Sequence, residues 1–129
     1  YSDPNNIFVA EFIGSPKMNI IKINKDQIIN SKTLKLFNNE VAVENLKFED
    51  ELYIGIRPED IILDNNNEIQ LEVKVDLVEN LGFEKIIYTK ILDHQIIIKS
   101  SENVTGQSLK ISFSKSKILF FDKNKNRIR

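Results

Sequence analysis

The sequence predicts an all-β fold, an antiparallel barrel or sandwich, and three observations predict it. From residue 19 onward, apolar side chains recur with period two in short runs rather than with the 3.6 period of a helix. The runs are separated by polar turns such as "NNN" at 65–67. The 129 residues, 41% hydrophobic and 29% charged, suffice for one domain with one ordinary core.

Only the N-terminus departs from this pattern. "DPNNIFVAEFIG" (3–14) reads as a short helix, with Asp3 as cap and Pro4 at the first helical position. The pairs Phe8/Phe12 and Val9/Ile13 give it one apolar face, Gly14 supplies an exit and Pro16 stops it. Strands are then expected at 19–25, 27–30, 33–37, 51–56 and 60–63. "IQLEVKVDLVENL" (69–81) alternates strictly at Ile69, Leu71, Val73, Val75 and Leu77. Further strands are expected at 83–92, 94–99, 108–113 and 117–121. Of the four glycines, Gly55 lies inside a strand run, where it marks either a kink or a close approach of another surface.

Composition excludes several functions. There is no cysteine, hence no disulfide and no cysteine-based zinc site. No apolar run approaches the roughly 18–20 residues of a membrane span, and "YSDP" lacks the features of a signal peptide. The chain opens on Tyr1 and its only methionine is Met18, so it reads as a piece of a longer protein. Net charge is −1, unevenly spread: Lys115, Lys117, Lys123, Lys125, Arg127 and Arg129 stand against Asp122 near the C-terminus, a local balance of +5. That tail reads as a solvated hairpin or as a phosphate-binding surface.

The motifs argue against catalysis. A phosphate-binding loop needs two glycines five residues apart, whereas the nearest pair here, Gly82 and Gly106, is 24 apart. The single histidine, His94 in "LDHQ", has no G-x-S-x-G elbow to serve and reads as a turn residue. Glu59 and Asp60 in "GIRPEDI" (55–61) would face opposite ways in a strand. If Pro58 begins a helical turn, they fall in its first turn, with Arg57 free to pair with one of them. "SFSKSKILFFDK" (112–123) alternates aromatics with lysines. Phe113, Phe120 and Phe121 could stack bases there, or could be one half-buried strand.

Four stretches resemble one family in order: "FVAEFIGSPKMN" (8–19), "GIRPEDI" (55–61), "VENLGFEKIIY" (78–88) and "ILFFDKNKNRI" (118–128). They are similar to landmarks in the ATP-binding subunits of sugar importers of the ABC class, the maltose-importer type. The resemblance departs at the last landmark, where the family's histidine before Leu-Phe-Asp and its turn glycine are replaced, and over 26–50, where nothing matches.

The resemblance implies the C-terminal regulatory domain of such a subunit, with oligonucleotide-binding (OB) type antiparallel barrel strands and a short N-terminal helix. Residues 1–14 would connect from a preceding ATPase domain, and 15–129 would form the regulatory β domain. On that basis the fragment is no enzyme and carries no cofactor, ATP and magnesium belonging to the ATPase domain, and it has no catalytic or metal residue. Implied partners are a second copy of the subunit, permease subunits reached through the preceding domain, and a regulatory protein, at the cytoplasmic side of the cell membrane. Nucleic acid is not among them; a free-standing OB-type nucleic-acid binder is the alternative. Ile20, Gly55, Glu79 and Phe121 fall on or beside the landmarks and are the implied regulator or dimer interface.

Overall fold

A computed structural model describes residues 4–7, 16–30, 32–43 and 51–128. Most of the helix expected over 3–14, including Phe8, Val9, Phe12, Ile13 and Gly14, lies outside the described residues. Among the described residues the strands are β1 (Asn19–Ile23), β2 (Ile28–Asn30), β3 (Thr33–Leu36), β4 (Asn39–Ala42), β5 (Leu52–Ile56), β6 (Ile69–Asn80), β7 (Lys85–Ile91), β8 (His94–Ser100), β9 (Ser108–Phe113), β10 (Leu119–Phe121) and β11 (Arg127–Ile128). All pairings are antiparallel, in sheets ordered β1-β5-β10-β11, β2-β3-β4 and β8-β7-β6-β9. This is the all-β, OB-type fold that the strand pattern and the resemblance predict.

All three sheets feed one apolar core. Ile21, Ile23, Ile54 and Ile56 come from the first, Leu34, Leu36 and Val41 from the second, and Leu71, Val73, Ile87, Ile98, Ile111 and Phe113 from the third. Each is an inward position of a period-two strand, so hydrophobic burial and strand pairing select the same register.

Two asparagine side chains join the sheets where backbone pairing stops. A primary amide carries one acceptor and two donors, so it can stand in for a peptide group. Asn19 Nδ2 donates to the Ile97 carbonyl at 2.9 Å, and Asn19 Oδ1 accepts from the Ile97 N–H at 2.8 Å. The same Nδ2 also donates to the Ile56 carbonyl at 3.2 Å. Asn39 repeats the arrangement on β6, donating to the Gln70 carbonyl at 2.8 Å and accepting from its N–H at 3.1 Å. Edge groups of β8 and β6 that would otherwise go unpaired are thereby satisfied.

The structure differs from the sequence expectations in several elements, among them the two-residue β11, which no expected strand covers. "DIIL" (60–63) is no strand: Pro58–Asp60 form a short 3₁₀ turn, and Ile62 makes only an isolated bridge to Ser112. Proline fixes φ and starts that turn at its first position, with Arg57 Nη1 3.7 Å from Asp60 Oδ2, the pairing expected. β4 was hidden by its polar sequence "NEVA", of which only Val41 is buried. The alternation of β6 ends early, because an irregularity between Val75 and Leu77 inserts one extra residue, Asp76, and turns Leu77 off the core face.

Candidate functional site

The first sheet has two apolar faces. One enters the main core; the other gathers Ile7, Met18, Leu119 and Phe121, with Ile20 and Tyr53 partly covered beside them. Gly55 lies at the centre of this second face. In register it is flanked by Ile20 of β1 on one side and Leu119 of β10 on the other. The positive-φ glycines among the described residues are Gly82 and Gly106, so Gly55 has ordinary strand geometry and no kink.

Its need for glycine is steric. A Cβ built there would sit 2.6 Å from Met18 Sδ, 3.2 Å from Phe121 Cε2 and 3.4 Å from Ile20 Cδ1. The close approach anticipated from the sequence is therefore made by the chain's own side chains. Three of the four expected interface residues, Ile20, Gly55 and Phe121, thus meet in one patch. Phe121 is wholly buried and Gly55 is buried, while Ile20 is half-buried at the rim. The C-terminal turn closes over this face: Lys125 Nζ lies 5.9 Å from the Tyr53 ring centroid, and Arg127 Nη1 donates to the Pro4 carbonyl at 3.2 Å.

Glu79 is on another sheet, in the outer half of β6. That half and the β6–β7 turn carry Leu77, Val78, Leu81 and Phe83, all exposed, Phe83 to 86%. The turn is well formed: Leu81 N–H donates to the Glu84 carbonyl at 2.8 Å, and Gly82 N–H donates to Asn80 Oδ1 at 3.0 Å. Gly82 takes a φ of 100°, the region that favours glycine. Lys99 Nζ pairs with Glu84 Oε1 at 3.3 Å.

Sequence reasoning missed the Asn19 clasp and the apolar hairpin end. The first had a signal, an asparagine opening an otherwise apolar strand. The second had one too, since an apolar Val78 and a polar Glu79 break the alternation. Phe113 and Phe121 are interior, so they offer no base-stacking platform. His94 packs its ring edge against Phe37, with centroids 5.3 Å apart, in a structural contact between two strand turns. Among the described residues no group of three or more His, Cys, Asp or Glu side chains could hold a metal.

Residues 14–61 match the model of the MalK OB fold domain, and residues 54–121 match that of the TOBE domain. The chain belongs to the TOBE-domain family. An ABC transporter ATP-binding protein of Escherichia coli O157:H7, YcjV, is 36% identical over 95% of this TOBE-domain chain. The maltose/maltodextrin import ATP-binding protein MalK of Aliivibrio fischeri is 34% identical over 61% of it. The xylose/arabinose import ATP-binding protein XacJ of Haloferax volcanii is 36% identical over 47%. These matches cover 36%, 23% and 16% of the relatives, so the TOBE-domain chain spans about a third of the length of YcjV and less of the other two. The β1–β5 pairing, which includes Gly55, lies within the MalK OB match, and the β6–β7 hairpin lies within the TOBE match.

Proposed function

We propose that this chain is the non-catalytic regulatory and dimerisation domain of an ABC importer's ATP-binding subunit, serving uptake of a carbohydrate or glycerophosphate. One observation carries the reading: a MalK OB match and a TOBE match, overlapping and together reaching from residue 14 to 121. Relatives named for maltose/maltodextrin and for xylose/arabinose import support the solute class. On this reading ATP and magnesium act in a preceding ATPase domain. The subunit lies on the cytoplasmic side of the membrane, contacting permease subunits through that domain and a regulator or a second copy through this one. Residues 1–14 form the connection to it.

Ile20 and Glu79 are the accessible members of the proposed interface. Gly55 and Phe121 act from beneath: the missing side chain of Gly55 leaves the space in which Met18, Phe121 and Ile20 meet. The test is solute uptake by the full-length subunit with and without residues 15–129. Uptake that persists but no longer responds to its regulator supports the reading. Unchanged regulation overturns it. In parallel, calorimetric titration of the fragment with magnesium-ATP should give no saturable heat, because no glycine-rich cradle is present for phosphate.

A further inference from the structure

β6 leaves two stretches of its edge without strand partners, and they are treated differently. Near its start, before β7 begins to pair, Asn39 caps the backbone of Gln70. Near its end, β9 stops pairing at Lys74, and Val75 N–H makes a last bond to the Gln107 carbonyl at 2.7 Å. Beyond that point no described residue bonds to the outer edge of residues 76–80. Leu77 is 60% and Leu81 54% exposed on the same stretch. A strand edge that no described residue pairs, carrying exposed leucines, is a feature that folded proteins ordinarily cover.

We propose that residues 76–80 of β6 pair antiparallel with the same residues of a second copy, with the two-fold axis at Val78. The inference rests on the subunit pairing proposed above and names the surface that carries it. The register follows from hydrogen-bond direction and charge. The Leu81–Glu84 turn bond sets the alternation, so Leu77 and Glu79 bond inward to β7 while Val78 and Asn80 direct their N–H and C=O outward. A symmetric ladder must therefore match outward groups with outward groups, which leaves even-numbered residues opposite one another. Centring the axis on Glu79 would oppose two carboxylates at the close, non-hydrogen-bonded spacing, an unfavourable pair. Centring it on Val78 sets each Glu79 opposite a Leu77 and each Asp76 opposite an Asn80. It also makes Leu81 a diagonal neighbour of the partner copy's Leu77, covering the exposed leucines. Like surfaces meeting across a two-fold form a closed pair rather than a fibre.

The absence of cysteine allows a direct test. Facing residues of a hydrogen-bonded antiparallel pair have Cα atoms about 5.5 Å apart, within the range a disulfide spans. Under mild oxidation the single variant Val78→Cys should cross-link at least about tenfold more than Ser116→Cys, an exposed control on the 115–117 turn, or Glu79→Cys, which the register places off the axis. Cross-linking no greater than the Ser116→Cys background, or strongest for Glu79→Cys, overturns the proposal. Val78→Pro removes the outward N–H and spares the bonds to β7, so it should weaken self-association in sedimentation by roughly tenfold with melting unchanged. If that proline disturbs the fold, Leu77→Lys gives the same readout on an exposed side chain. Wild-type chain that stays monomeric at all concentrations also overturns the surface. Regulated uptake that still depends on residues 15–129 would then leave the functional reading standing.

Discussion

The sheet face around Gly55 and the hairpin end around Glu79 both use leucine and phenylalanine and give them opposite surroundings. Around Gly55 three strands lie side by side, and the N-terminal segment and the C-terminal turn cover them, so Phe121 is fully enclosed. Around Glu79, β6 has run beyond β9 and is the edge strand beside β7 and β8, with a strand neighbour on one side only, and Phe83 in the turn is 86% exposed. Chemical identity is therefore a poor guide to burial in this fold. The number of neighbouring strands and the presence of a covering segment decide it. The enclosed region should govern stability, and the open one association.

The largest effect should come from Phe121→Ala, which empties an enclosed ring site and should lower unfolding free energy by about 3–5 kcal/mol in urea titration. A loss below about 1 kcal/mol would mean that the second face is loosely packed. Asn19→Ala should follow. It strips the partner from the Ile97 N–H and carbonyl, at a cost of about 1–3 kcal/mol, and it should speed hydrogen exchange at Ile97 before the other β8 amides. Uniform exchange across β8 would sink the clasp.

Gly55→Ala should cost about 1–3 kcal/mol by overpacking. Shortening the side chain that the new methyl meets should recover part of this, so Gly55→Ala with Met18→Val should be less destabilising than the two single changes combined. Strict additivity would mean that Met18 is not the obstacle. On the open side, Phe83→Ser should alter stability by no more than about 0.5 kcal/mol, and a larger drop in melting would erase the contrast between the regions.

The smallest effect belongs to Glu68, which joins the start of β6 to the turn after β9. Bonding to its own backbone N–H, then to that of Lys115 at 3.0 Å, holds its carboxyl below the usual carboxylate range. The folded state thus favours the ionised form. Its contribution is present at neutral pH and is lost as pH falls through the carboxylate range toward the depressed folded value. Glu68→Gln should melt slightly below the wild type at neutral pH, with the gap closing in acid. A gap that widens in acid would have the wrong sign.

Much of the fold was legible because it is written locally. Period-two runs located β1, β5 and β7 to β9 to within a few residues, and Pro58 placed the turn that pairs Arg57 with Asp60. β4 was not legible, because one buried valine among polar residues gives no alternation. The site was legible only in part. The resemblance singled out Ile20, Gly55 and Phe121, but their meeting depends on β1 and β10 both pairing with β5 across long stretches of chain. The exposure of Leu77 was misjudged because an extra residue at Asp76 leaves the local pattern unchanged while reversing the facing.

By itself the sequence determined the class of element, the absence of cysteine and of a phosphate loop, and the family. Each of these depends on residue type and short-range spacing. The tertiary structure decided which apolar residues are interior, why position 55 must be glycine, and which strand edge is open. Those depend on what lies across the sheet, and the contacts between Gly55 and Met18, or between Asn19 and Ile97, join residues that no local pattern links.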